Sequence, residues 1–136
     1  QVQFRDLDPL EHANNAVYLS WMEDARVEFL YRWGIASAVG EIDFVVARTE
    51  IDFEQPVFER QQVDVKVIAS RIGKKSFDLQ YAVLADGELC ARALTVMVCY
   101  DRDLRKAKPM PSEWRLPIEQ QVQAVAGLDA GSALLA

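Results

Sequence analysis

Residues 63–83 read VDVKVIASRIGKKSFDLQYAV, and apolar residues alternate with polar ones on both sides of a central Gly-Lys-Lys. The apolar members of the two halves are Val63, Val65 and Val67, then Phe77, Leu79, Tyr81 and Val83. A period of two residues is typical of a half-buried β-strand. Two such strands joined by the turn Gly73-Lys74-Lys75 predict an antiparallel hairpin.

Further strands are predicted on either side of this hairpin. The turn Asp86-Gly87 separates it from a run from Glu88 to Tyr100, whose second half is apolar on both faces and therefore indicates a central strand. Phe44 to Phe53 supplies another strand, which Pro56 closes. Val2 to Phe4 suits a short first strand.

A helix is predicted between the strand at residues 2–4 and the strand at residues 44–53. No Gly or Pro occurs from Ala16 to about Trp33, and large apolar residues recur at spacings of three and four. They are Tyr18, Met22, Ala25, Phe29 and Trp33. Asn14 or Asn15 suits the N-cap, and Gly34 suits the C-terminal end. The order of strand, long helix and four antiparallel strands predicts an α+β fold in which a curved sheet wraps the helix.

The composition of the chain limits the classes of protein to which it can belong. The 136 residues are 51% hydrophobic, enough to bury the core of one domain. The net charge of −6 argues against a general binder of nucleic acid or anionic membranes. No apolar stretch reaches the roughly 18 residues that span a bilayer. Cys90 and Cys99 lie in an apolar run, which favours buried thiols and a cytoplasmic location.

The last part of the chain differs from the rest. Charged residues and prolines continue to Pro117, and Ile118 to Val125 could form a short helix. We therefore expect a domain over residues 1–117 and a C-terminal tail over residues 118–136.

The segment from Arg5 to Tyr18, RDLDPLEHANNAVY, contains the only histidine of the chain and two aspartates directly before the predicted helix. A helix N-terminus presents unpaired N–H groups and a partial positive charge, which can stabilise an oxyanion. A carboxylate on the approach loop could act as a base or a nucleophile. The alternative is that Asp8 and Asn15 only cap the helix.

This segment has the pattern D-x-D-x-x-x-H-x-N-N-x-x-Y, and with the long helix after it the chain resembles the acyl-CoA thioesterases of the 4-hydroxybenzoyl-CoA thioesterase type. The resemblance continues through residues 48–56, 72–77 and 109–111, and covers about residues 1–117. It implies a hotdog fold, an active site between two subunits, and a homodimer or homotetramer. It also implies Asp8 as the catalytic carboxylate and the N–H near Asn15 as the oxyanion donor.

Plant-type acyl-carrier-protein thioesterases resemble the same stretch and match it at Asp8 and His12, but Leu10 stands where they carry an asparagine. His12 therefore either orients a water or only hydrogen-bonds the loop.

Glu11 replaces a glycine common in the bacterial members. Other hotdog enzymes carry a glutamate within the helix, for which Glu23 is the candidate here, the alternative being a solvated helix residue.

The resemblance also points to residues that could bind the substrate. Arg71, Gly73, Lys74, Lys75 and Ser76 form a basic hairpin that could hold the phosphates of coenzyme A, the alternative being a turn whose lysines are only solvated. Thr49 is the candidate for a hydroxyl that faces the thioester across the subunit boundary. No cofactor is required, because coenzyme A is part of the substrate. We expect no metal site, because one histidine and two separated cysteines do not make the usual zinc site.

These elements together predict hydrolysis of acyl-CoA thioesters. One alternative keeps the hotdog fold for a dehydratase or hydratase, in which Asp8 and His12 would move protons on the acyl chain. Another is a dimer that binds acyl thioesters without catalysis. The release of free thiol from a saturated acyl-CoA separates hydrolysis from both.

Overall fold

The computed structural model describes residues 1–128 and 133–134. The principal elements in chain order are α1 Asn15–Arg32, β1 Phe44–Phe53, β2 Val63–Ile72, β3 Ser76–Ala85, β4 Glu88–Asp101, β5 Lys106–Ala107 and α2 Ser112–Val125. The four long strands pair antiparallel in the order β1-β4-β3-β2, and the short β5 pairs with β4. The predicted α+β arrangement is confirmed.

Strand β4 is central, as its two apolar faces predicted. It pairs with β1 on one side and β3 on the other, so Thr95 lies opposite both Thr49 and Leu79. Strand β1 has β4 as its only strand neighbour among the described residues, and most of its side chains are exposed. The chain therefore presents an open sheet edge along β1.

Helix α1 packs its apolar side on the sheet. Its buried side chains are Tyr18, Met22, Phe29 and Leu30. Met22, Phe29 and Leu30 join a core with buried residues of β3 such as Phe77 and Leu79, whereas Tyr18 belongs to a second cluster that includes Val57. The side chain of Asn14 accepts the Ala16 N–H at 2.9 Å and caps the helix, and Gly34 follows its end with a φ of 70°. The helix thus lies close to its predicted bounds.

The predicted first strand is wrong. Phe4–Asp6 forms a short 3-10 turn, because the Asp6 side chain accepts the Gln3 N–H at 2.9 Å while the Asp6 N–H donates to the Gln3 carbonyl at 2.9 Å. Local side-chain bonding of this kind competes with an extended ladder. Val2 is nevertheless buried, and its backbone is hydrogen-bonded to Arg60 and Gln61.

The C-terminal helix is longer than predicted. Helix α2 begins at Ser112, before Ile118, and includes Pro117, so the boundary expected after residue 117 falls inside it. Ile118 is fully buried, and Trp114 packs on Phe44 with ring centroids 5.0 Å apart. These contacts with the sheet stabilise a helix that starts before Pro117, although the prolines of the sequence favour a later start. The part of the expected tail at 129–132 and 135–136 lies outside the described residues.

The two cysteines are buried and free, as their apolar surroundings predicted. Burial raises the pKa of the Cys90 thiol, and raises the pKa of the Cys99 thiol to about 11. Both therefore stay protonated at neutral pH and are poor nucleophiles. In the part of the chain that the structure describes, no helix has the length and apolar character needed to cross a membrane.

Candidate active site

A tight turn presents Asp8 in front of α1. The Asp8 N–H donates to the His12 carbonyl at 3.0 Å, and the Glu11 N–H donates to the Asp8 carbonyl at 2.9 Å. Leu7 and Ala13 pair across the base of the turn, and the Ala13 N–H donates to Val57 at 2.6 Å. The turn is therefore fixed on both sides and leads directly into the start of α1.

Only one oxygen of the Asp8 carboxylate accepts a hydrogen bond from the described residues. Its Oδ1 accepts the Leu10 N–H at 2.8 Å, which orients the group. Among residues 1–128 and 133–134, its other oxygen accepts no hydrogen bond, and no cation pairs with it. The side chain is partly buried. Asp8 thus offers an oriented carboxylate oxygen that can take a proton or attack a carbonyl.

The start of α1 offers a free donor beside this turn. Asn14 receives the N–H of Ala16 on its side chain and the N–H of Val17 on its carbonyl. The N–H of Asn15 donates to no acceptor within the described chain. Neither Asp8 nor Asn15 caps the helix, so capping does not explain either residue. The free N–H at a helix N-terminus is a suitable oxyanion donor.

His12 lies in the same turn but faces Phe58. The two residues pair through their backbones, and their rings meet edge to face with centroids 6.3 Å apart. No hydrogen bond joins the His12 ring to Asp8 in the described part of the molecule. This packing favours a role in holding the turn, and water positioning by His12 stays a prediction.

Glu11 occupies the position at which a glycine is common in the bacterial thioesterases it resembles. Its φ is 65°, in the left-handed region that costs a residue with a side chain about 1 kcal/mol or more. Replacing Glu11 with glycine is therefore expected to raise the free energy of unfolding by up to about 1 kcal/mol. Chemical denaturation checks this, with Glu11→Ala as the control, because alanine keeps the strain. Equal stability of the two variants would contradict the explanation.

Glu23 lies farther along α1, about 12 Å from Asn15 at the helical rise of about 1.5 Å per residue. Its side chain is 72% exposed and lies 3.8 Å from Arg26. Arg26 in turn donates to Tyr81, whose hydroxyl bonds Thr95 at 2.8 Å in the buried layer between helix and sheet. The exposure of Glu23 and its distance from the free N–H favour the solvated reading over a catalytic one.

One of the basic side chains of the hairpin, Arg71, is held by hydrogen bonds that were not predicted from the sequence. Arg71 donates from Nε and Nη2 to the two oxygens of Asp78, each at 2.8 Å, and reaches the Ser76 hydroxyl at 3.0 Å. These bonds raise the pKa of Arg71 and compensate its charge. Lys74 and Lys75 are exposed and pair with no carboxylate in residues 1–128 and 133–134, so they carry the uncompensated charge of the hairpin. The spacing of Arg71 and Asp78 across the short hairpin could have identified this pair.

The hairpin and the Asp8 turn lie at opposite ends of the sheet. The Asp8 turn contacts the segment around Val57 and Phe58, near the β3–β4 turn, whereas residues 73–75 join β2 and β3 at the other end. A ten-residue strand such as β3 spans about 33 Å. Thr49 lies between these ends on the open strand β1, with its side chain exposed. One chain therefore does not bring all the predicted site residues together.

No group of three or more His, Cys, Asp or Glu side chains suited to a metal ion occurs among the residues that the structure describes.

Three comparisons with known proteins bear on this site. The family model of the thioesterase-like superfamily matches residues 2–124. The long-chain acyl-CoA thioesterase FadM of Escherichia coli is 30% identical over 124 residues, covering 86% of this chain and 92% of FadM. A crystal structure of a thioesterase complexed with coenzyme A and Zn, from Thermus thermophilus, is 38% identical with a TM-score of 0.82, and covers 90% of each chain.

Proposed function

Because the chain belongs to the thioesterase-like superfamily, we propose that it hydrolyses acyl thioesters of coenzyme A to a free acid and coenzyme A. This membership confirms the resemblance found in the sequence. The observation that carries the proposal is the turn before α1, in which one oxygen of Asp8 and the N–H of Asn15 at the helix start both lack a hydrogen-bond partner among the described residues. A base or nucleophile beside an oxyanion donor is the minimum that acyl transfer needs.

The reaction follows from these two groups. In the general-base route, Asp8 takes a proton from water as the water oxygen bonds to the thioester carbon. In the nucleophilic route, Asp8 bonds to that carbon itself, and water then hydrolyses the resulting anhydride. In both, the carbonyl oxygen becomes negative and accepts the N–H of Asn15, and the carbon–sulfur bond breaks when the carbonyl re-forms. In the general-base route the sulfur takes the proton that Asp8 received from water, and in the nucleophilic route it leaves as the thiolate and takes a proton from solvent, so both yield the thiol of coenzyme A.

We propose that two copies associate along β1. This strand exposes apolar side chains along an open edge, among them Val45 at 41%, Val46 at 42% and Phe53 at 45%. An unpaired edge of this kind is a template for another strand, and two-fold symmetry pairs it with its own copy. Two copies each carry a net charge of −6, which opposes their association, so the apolar edge has to supply the favourable free energy.

This association would complete the active site. In an antiparallel pairing of two β1 strands, the hairpin end of one sheet lies beside the Asp8 end of the other. Each site would then combine Asp8 and Asn15 of one subunit with Lys74 and Lys75 of its partner. Thr49, exposed on β1, would line the boundary between them. Within one chain these groups lie at opposite ends of strands about 33 Å long, which is the reason to assign them to two subunits.

The reaction class is tested by following free thiol in a screen of saturated acyl-CoAs that differ in length, together with aromatic acyl-CoAs. Hydrolysis releases one thiol for each acid formed. Hydration or dehydration of the acyl chain releases none. Tight binding of acyl-CoA without thiol release would instead support a binding protein.

Changing both Lys74 and Lys75 to alanine is expected to raise KM for acyl-CoA by about tenfold and to leave kcat nearly unchanged, because phosphate contacts are made equally in ground and transition states. The dependence of KM on salt should also become shallower. An acyl thioester that lacks the nucleotide is the control substrate and should be unaffected. An equal loss on both substrates would exclude a phosphate-binding role.

A further inference from the structure

The three residues of the basic turn direct their carbonyl groups towards the body of the protein. The carbonyl of Gly73 accepts Arg115 Nη2 at 2.6 Å, and that of Lys74 accepts the Met110 N–H at 3.0 Å. The carbonyl of Lys75 accepts the Cys99 N–H at 2.8 Å. All three donors come from residues 99–115, which follow the hairpin in the chain. The backbone of this exposed turn is therefore fixed by its contacts with β4 and the region of α2.

Arg115 makes the side-chain contribution to this support. It lies in the first turns of α2, and its Nη2 also lies 3.4 Å from the Lys74 carbonyl. Its Nη1 donates to Glu119 at 3.1 Å, one turn further along the helix. Glu119 compensates the charge of Arg115, so the guanidinium holds the turn without competing strongly with the lysines for an anion.

A second guanidinium holds the turn from the strand side. Arg71 folds over Gly73 on its way to Asp78, and a Cβ on Gly73 would lie 2.8 Å from Arg71 Nη1. A side chain at this position would therefore require the Arg71 guanidinium to shift. Each arginine is paired with a carboxylate, whereas Lys74 and Lys75 form no ion pair with any residue that the structure describes. The arrangement separates groups that shape the turn from groups that remain available to a ligand.

We propose that Arg115 is a positioning residue for the carrier, which fixes the Gly73–Lys75 turn so that Lys74 and Lys75 face the phosphates of coenzyme A. The inference rests on the proposed function, in which these lysines bind the phosphates. Lysine side chains are long and flexible, so a fixed backbone reduces the entropy lost when they close on an anion. Helix α2 thereby takes part in substrate recognition, although it contacts only the backbone of the turn.

The test compares Arg115→Gln with Arg115→Lys, and uses Glu119→Gln as the matched control on the same helix. Arg115→Gln should raise KM for acyl-CoA about three- to fivefold with kcat unchanged, and should leave a nucleotide-free acyl thioester unaffected. The salt dependence of KM should persist, because both lysines remain. Arg115→Lys can still donate to the Gly73 carbonyl and should recover most of the affinity. Glu119→Gln keeps both carbonyl contacts and removes a negative charge, so its KM should be no higher than that of the parent.

The lysine double variant separates this inference from the proposed function. If Lys74 and Lys75 matter for KM but Arg115→Gln lowers only the melting temperature, Arg115 is a structural residue and the inference is wrong. If Arg115→Gln weakens both substrates equally, the residue acts on the fold rather than on the carrier. If the lysine variant changes nothing, the phosphate assignment fails and this inference fails with it. Should Arg115→Gln not fold, Arg115→Met takes its place, and a KM raised about three- to fivefold for acyl-CoA but not for the nucleotide-free thioester would support the inference, whereas a parental KM would contradict it.

Discussion

Replacing Asp8 with asparagine is expected to lower kcat by about a hundredfold or more while KM for acyl-CoA changes little. The amide oxygen of asparagine can still accept the N–H of Leu10, which Asp8 Oδ1 accepts at 2.8 Å, so the turn should keep its shape. What is lost is the negative charge on the oxygen that has no partner within the described residues. That charge is needed both to take a proton from water and to attack the thioester carbon.

The matched control is Asp6→Asn, two residues earlier in the same segment. Asp6 uses its carboxylate to accept the Gln3 N–H, which an amide oxygen can also do, so this variant should retain activity. Thiol release by both variants, measured after confirming that they fold, gives the comparison. Activity of Asp8→Asn within about threefold of the parent would show that Asp8 is structural, and Glu23 would then be the next carboxylate to replace.

A heterodimer of Asp8→Asn with the lysine double variant is expected to show the parental KM and about half of the parental kcat. If each site combines Asp8 of one subunit with Lys74 and Lys75 of the other, one of its two sites contains only parental residues. The other site has lost both the carboxylate and the lysines. The intact site therefore determines the measured kinetics.

Sites contained within one chain would give a different result. The heterodimer would then have one site without Asp8 and one without the lysines, so its KM would be that of the lysine variant, about tenfold higher. Co-expression of the two variants with different affinity tags, and purification over both, supplies the heterodimer. Failure of the tagged chains to co-purify, together with an active monomer in sedimentation, would contradict the proposed association along β1.

The strands and the long helix could be predicted because their signals are local. The alternation around Gly73 defines two strands and a turn, and the spacing of apolar residues from Tyr18 to Trp33 defines α1. The first strand was predicted wrongly because the Gln3–Asp6 bonds compete with an extended backbone. Helix α2 was predicted too short, because its start depends on the packing of Trp114 and Ile118 against the sheet.

The candidate catalytic groups were also accessible from the sequence, because Asp8, the turn and the helix start occupy one continuous segment. The hydrogen bonds that shape the Asp8 turn itself join residues fewer than about five positions apart, a range over which the order of residues largely sets the geometry, and only the anchoring bond from Ala13 to Val57 is long-range among those described above. The identity of the N-cap needed the structure, since Asn14 and Asn15 are chemically equivalent and only the backbone decides which one precedes the first turn.

The sequence by itself determined the α+β class, the bounds of α1 and the segment that carries Asp8. Only the tertiary structure decided that Arg71 is occupied by Asp78, that Arg115 holds the basic turn from α2, and that this turn lies at the far end of the sheet from Asp8. The physical reason is the range of the interactions. Periodicity and turn chemistry act between near neighbours, whereas the contact of Arg115 with Gly73 joins residues 42 positions apart and forms only when the sheet and α2 pack together.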